Sequence, residues 1–171
     1  MARKTSLREF QESVVARLQN ATAAGAAAVA SKVGVLVGEE RWLITLSDVA
    51  EVIPLPSLAP VPLTRRWFQG VANVRGMLYG VVDFADYLYG QPTPPGIDSR
   101  LLLIHPRYGV NAGLIVAKML GLKHTDQLTP GEQEGLPPWV NAEYVDGEGE
   151  IWKELNMQGL VTQAEFLNVG I

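Results

Sequence analysis

The 171-residue chain carries 14 Lys and Arg against 18 Asp and Glu, a formal net charge of −4, and no cysteine. That composition excludes disulfides, thiolate metal sites and a cysteine nucleophile, and it fits a reducing compartment, taken here as the cytoplasm. The basic residues are scattered, with Arg65-Arg66 as the tightest central pair, so no electrostatic footprint for nucleic acid forms.

Taken in chain order, Ser6-Leu7-Arg8-Glu9 reads as a capping box, and Leu7, Phe10, Val14 and Leu18 follow on one helical face. The Ala-rich stretch to Ala30 continues this helix, with Gly25 weakening it by about 1 kcal/mol. The stripe either packs on the chain's own domain or docks a partner. The run Ala21 to Val37 is too Ala- and Gly-rich, and too interrupted at Ser31-Lys32, to cross about 30 Å of hydrocarbon. Glu9 and Glu12 stand where an export signal would need its apolar region. Residues 1–31 are therefore assigned as a helical arm and residues 32–171 as the domain, with no membrane insertion.

From Lys32 the pattern changes to β. Val33 to Val37 and Arg41 to Leu46 predict a hairpin around Gly38-Glu39-Glu40, and Ser47 to Ile53 predict a short turn followed by a strand. Residues 54–66 carry Pro54, Pro56, Pro60 and Pro62 and must run extended. The segment Gly70 to Gly76 reads as a strand carrying one Arg. Met77 to Val82 is a further strand ended by Asp83, and Phe84 to Leu88 make one helical turn before Gly90. A second Pro/Gly loop spans 91–97. Arg100 to His105 and Asn111 to Ala117 predict a second hairpin, and residues 121–139 a polar loop. Val140 to Val145 and Ile151 to Leu155 pair across Asp146-Gly147. Leu160 to Leu167 closes as a short helix with Thr162 as its cap. The sum is a mainly β protein of small antiparallel barrels with an N-terminal helical arm and a short C-terminal helix.

Motifs for chemistry are sparse. His105 and His124 have no partners at metal-ligand spacing, and no Walker, G-x-G-x-x-G or G-x-S-x-G motif occurs. Asp83 and Asp86 can be drawn as an acid/base pair, the basis of an alternative reading as a small β-barrel enzyme or ligand-binding module. The simpler role for Asp83 is to cap the turn after its strand. No catalytic residue, metal or cofactor is implied. The distinctive constellation is Gly70-Val-Ala-Asn73-Val-Arg75-Gly76. Its Arg either ties two β units together from a buried position or lies at a protein-binding groove.

Val49-Ala-Glu51-Val-Ile53, the loop Pro56-Ser-Leu-Ala-Pro60-Val-Pro62, the Gly70 to Gly76 motif and the strand Leu78 to Asp83-Phe84 together resemble the CheW-like adaptor family. Order and spacing match over Val33 to Tyr89, and more loosely over Arg100 to Lys118. The resemblance implies two small five-stranded SH3-like barrels without an active site. It also implies a coupling role between a methyl-accepting chemoreceptor and a CheA-type histidine kinase. It places the positions of Val49, Glu51 and Gly70 at partner-contact surfaces and that of Arg75 between the barrels, with Asn73 and Ile53 as neighbours. The arm, Trp152-Lys-Glu-Leu155 and Phe166-Leu167 resemble the branch serving type IV pili and twitching motility, the PilI-like proteins. A flagellar chemotaxis adaptor is the alternative within the same family.

Overall fold

The structure, a computed structural model, describes residues 31–171. The helical arm and its capping box lie outside the described residues.

Eleven strands form two sheets among the described residues. The first sheet runs in the order β8-β1-β2-β11-β10-β9 and the second β3-β6-β7-β5-β4. Strands β3 (Val49–Pro54), β4 (Phe68–Val74), β5 (Met77–Asp83), β6 (Arg100–Ile104) and β7 (Ala112–Val116) are contiguous in sequence. They are inserted between β1 (Lys32–Val37) and β2 (Glu40–Thr45) on one side and β8 (Lys118–Lys123), β9 (Thr129–Pro130), β10 (Val140–Val145) and β11 (Ile151–Leu155) on the other. The first sheet is thus built from both ends of the domain. It closes through a parallel pairing of β11 with β2. Since β9 contributes only two residues, each unit has five substantial strands, the mainly β two-unit architecture expected.

Side-chain alternation explains the layering. In β6, Leu102 and Ile104 enter a core shared by the two sheets, while Leu101 and Leu103 enter a second core. Strand side chains point to opposite faces in turn, so a central strand buried on both faces reads as the unbroken apolar run Leu101-Leu-Leu-Ile104. The shared core takes Val33, Val35 and Val37 from β1 and Trp42 and Ile44 from β2. It also takes Phe84 from helix α1 (Phe84–Tyr89). The Trp42 and Phe84 rings meet at 5.4 Å. The second core holds Ala72, Val81, Leu101, Leu103 and Ile115, sealed by Ile53, Leu58, Val74 and Tyr79. Of these, Ile53 on β3 and Val74 on β4 come from opposite edges of the second sheet, so that sheet curls on itself.

Three expectations need correction. Residues 121–139 are not all loop, because β8 runs to Lys123 and lies against β1. Its register breaks where Gly121, at φ 89°, forms an irregularity, and this hides the period-2 pattern. The C-terminal helix begins earlier and is divided into α2 (Met157–Val161) and α3 (Ala164–Leu167). Asn156, not Thr162, is the cap of α2: its side chain accepts from the Gly159 N–H at 3.0 Å. Thr162 ends that helix, and its hydroxyl donates to the Gln158 carbonyl at 2.8 Å. The third correction concerns Arg75 and is described with the site.

Among the described residues one ion pair is buried. Lys32 Nζ lies 2.7 Å from Glu154 and donates to Thr45 Oγ1 at 2.8 Å, with the two charged side chains 11% and 10% exposed. The pair joins β1 to β11 across β2. Removing one partner leaves the other charge buried without compensation, whereas replacing both by apolar residues is close to neutral. Lys32→Met is expected to lower stability by about 3 kcal/mol, and adding Glu154→Leu is expected to restore most of it. Urea denaturation of the two variants checks this.

Candidate partner-binding site

Strand β4 ends at Val74, which pairs with Met77, so the hairpin loop is the two residues Arg75 and Gly76. Their φ angles are 54° and 83°. Two-residue hairpins favour such turns because the backbone twist matches the strands, but they require positive φ at both positions. Glycine meets that requirement freely. Arginine meets it at a cost of about 1–2 kcal/mol. The Asn73 side chain supports the turn by accepting the Gly76 N–H at 2.9 Å. Arg75 is therefore a turn residue rather than a strand residue, the third correction to the sequence reading.

Its guanidinium reaches across to β3. Arg75 Nη1 donates to Glu51 Oε2 at 2.8 Å, and Nη2 donates to Glu51 Oε1, a two-pronged pair. The side chains are 56% and 29% exposed, so the pair is accessible and not buried. Strands β3 and β4 are the two edges of the second sheet, so the pair clasps the edges of one unit. It does not join the two units, as either the buried-Arg reading or the position implied by the resemblance would have it.

A second clasp lies beside it. Ala59, in the proline loop, exchanges backbone hydrogen bonds with Val71 at 2.8 and 2.9 Å. The loop carbonyl comes so close that a Cβ on Gly70, at φ 129°, would lie 2.3 Å from the Ala59 oxygen. Gly70 is buried beneath this loop, and its expected place on the surface is taken by the loop it seats.

The six expected contact residues separate accordingly. Glu51 on β3 meets Arg75 at the tip of the β4–β5 hairpin, and Asn73 braces that tip. Val49 and Ile53 are half-buried, Val49 against the shared core and Ile53 against the second core. Gly70 is structural. Sequence reasoning missed Met77 and Leu78, which are 50% and 61% exposed. Both stand clear because β5 pairs with β7 only from Gly80 onward, so the start of β5 extends past β7 with β4 alone beside it. Two adjacent apolar residues directly after a tight turn are the signal that pointed to them.

The alternative chemistry does not assemble. The Asp83 carboxylate accepts from the Asp86 N–H at 3.3 Å, as the helix cap expected, and from the Thr93 N–H and hydroxyl at 2.8 and 2.7 Å. The Asp86 carboxylate is held by Arg66, whose Nε lies 3.0 Å away and whose Nη2 also donates to the Gly90 carbonyl. Both carboxylates are thus committed to local structure; Asp86 borders an open cavity beside Arg65, Arg66 and Trp67, and Asp83 is not among its lining residues. His105 Nδ1 accepts the Arg107 N–H within its turn. Among the described residues no three His, Asp or Glu side chains converge as a metal site, and no helix is long and apolar enough to cross a membrane.

The described residues thus form a curled two-unit β scaffold, one unit inserted in the other, with an exposed charged clasp on the inserted unit. The model of the CheW-like domain matches residues 32–165, and the chain belongs to this family of chemotaxis-type adaptors. Over 147 residues it is 29% identical to the protein PilI of Pseudomonas aeruginosa, covering 82% of this chain and 80% of that one. The fold is shared with the scaffolding protein CheW of Thermoanaerobacter tengcongensis at a TM-score of 0.66 and 19% identity, over 81% of this chain and 90% of that structure.

Proposed function

We propose that residues 32–171 form a non-catalytic cytoplasmic adaptor that couples a methyl-accepting chemoreceptor to a CheA-type histidine kinase. The likeness to PilI favours type IV pilus and twitching-motility signalling over flagellar chemotaxis. The observation that carries the reading is the accessible Glu51–Arg75 clasp on a strained turn beside exposed Met77 and Leu78. A non-glycine residue held at positive φ is a feature of binding sites, where the surroundings maintain a costly conformation. Arg with neighbouring apolar side chains is also the composition of an interface hot spot. Asn73 fixes the turn, Gly70 seats the proline loop, and Val49 and Ile53 set the position of Glu51 on β3. An adaptor needs no titrating group. Signalling requires only that its contacts differ between two receptor states.

Calorimetry with the isolated cytoplasmic signalling hairpin of a pilus-class chemoreceptor, and separately with the kinase's adaptor-docking domain, tests the reading. Saturable binding to both is expected. A well-folded chain that binds neither overturns it.

A further inference from the structure

On the first sheet, away from the Glu51–Arg75 clasp, a cavity of about 150 Å³ opens between α1 and strands β10 and β11. Trp42 and Tyr89 form its inner wall, Trp139 and Pro137 its outer one, and Glu143 and Lys153 its polar side. Its inner wall is fixed by internal bonds. Trp42 Nε1 donates to the Tyr89 hydroxyl at 3.2 Å, and that hydroxyl donates to Glu40. Burial first, and then this bond to Glu40, push the Tyr89 phenol well above its ordinary pKa, so it stays a donor. Lys153 Nζ is neutralised by Glu40 at 2.9 Å and sits 5.9 Å from both the Trp42 and Tyr89 rings.

Two of the groups lining the cavity remain unengaged among the described residues. The half-buried Glu143 carboxylate makes no hydrogen bond or ion pair, although β10 places Glu143 opposite Lys153. The half-buried Trp139 ring has no cation over it, unlike Trp42, Tyr89 and Trp152. Glu40, which lies behind the lining as the partner of Lys153, and Glu143 together leave these three side chains with one net negative charge. The complementary group is a planar cation on an apolar stem. A guanidinium satisfies both vacancies at once, stacking on an indole face while its fork meets a carboxylate. An ammonium meets the carboxylate only as a point charge, and a neutral apolar side chain leaves Glu143 unpaired.

We propose that this cavity is a second docking point, taking the side chain of an arginine on a partner protein. It lies on the other sheet from the Glu51–Arg75 clasp, so both can be occupied together, as an adaptor joining two proteins requires.

The test uses the full chain and a pentapeptide probe with a central arginine flanked by alanines, with capped ends. Its neutral isostere carries citrulline in place of the arginine. Nitrogen-15 spectra resolve the four indole N–H signals. The arginine peptide is expected to shift Trp139 and Trp42 saturably while leaving Trp67 and Trp152 unmoved. The citrulline peptide is expected to bind at least tenfold more weakly. Glu143→Gln, with an unchanged melting temperature, is expected to abolish the difference between the peptides. Equal binding of both peptides to the native chain, or the absence of any shift at Trp139, overturns the proposal. Because neither receptor nor kinase is present, failure here is separable from failure of the adaptor reading.

Discussion

Gly70→Val is expected to lower stability by about 4 kcal/mol, the range reserved for substitutions that no local adjustment absorbs. Even the first added atom would lie 2.3 Å from the Ala59 carbonyl oxygen and 2.9 Å from its carbon. These are backbone atoms held by the reciprocal Ala59–Val71 bonds, so relief requires lifting the proline loop off β4. Valine is also strained at φ 129°, where only glycine is at ease. Lifting the loop removes Leu58 from its packing against the second core. Gly147→Ala is the control: a Cβ there meets nothing within 4 Å, and its effect is expected to stay within about 0.5 kcal/mol. Chemical denaturation of the two variants checks the contrast. A Gly70→Val protein as stable as the native one contradicts the clasp.

Arg75→Glu is expected to weaken receptor or kinase binding on the order of a hundredfold, about 2.7 kcal/mol, the scale of losing a charged hot spot. Its effect on folding is expected to be far smaller. The Glu51–Arg75 pair is partly exposed, and exposed pairs contribute about 0–1 kcal/mol after solvent screening. The double variant Glu51→Arg with Arg75→Glu separates the two roles. It restores opposite charges across the clasp and is expected to recover the melting temperature. It is not expected to recover binding, because the partner then meets an inverted charge pattern. Recovery of binding in the double variant would show that the pair serves only to hold the edges of the sheet together. Arg75→Asn adds a second check, since asparagine adopts positive φ more readily and keeps the turn.

The hairpins were legible because their strands are short apolar runs separated by turn residues. Val33 to Val37, Arg100 to Ile104 and the pair around Asp146-Gly147 all form as the pattern predicts. Strand β8 was hidden by the irregularity at Gly121, which breaks the alternation that a period-2 reading needs. The division of the C-terminal helix turned on which residue caps it, and Asn156 lay outside the segment considered. At the site, the motif from Gly70 to Gly76 was visible but its geometry was not. A backbone angle has no sequence signature when arginine occupies a place that asparagine or glycine usually takes. The partnership of Glu51 with Arg75 spans 24 residues, and no local periodicity links them. The resemblance placed Val49 and Ile53 at partner contacts; both are half-buried, and how far the curl of the sheet covers them was not legible in the sequence. The seating of the proline loop on β4 runs through Ala59, a residue without a distinguishing feature in the sequence.

The central claim is that one chain holds a receptor and a kinase at the same time. Sedimentation of a receptor signalling fragment, the kinase's adaptor-docking domain and this chain, mixed in equal amounts, tests it most directly. A three-component complex is expected, one that disappears when the chain is omitted and is depleted by Arg75→Glu. Competition between receptor and kinase fragments for the chain, so that only two-component complexes sediment, would contradict it.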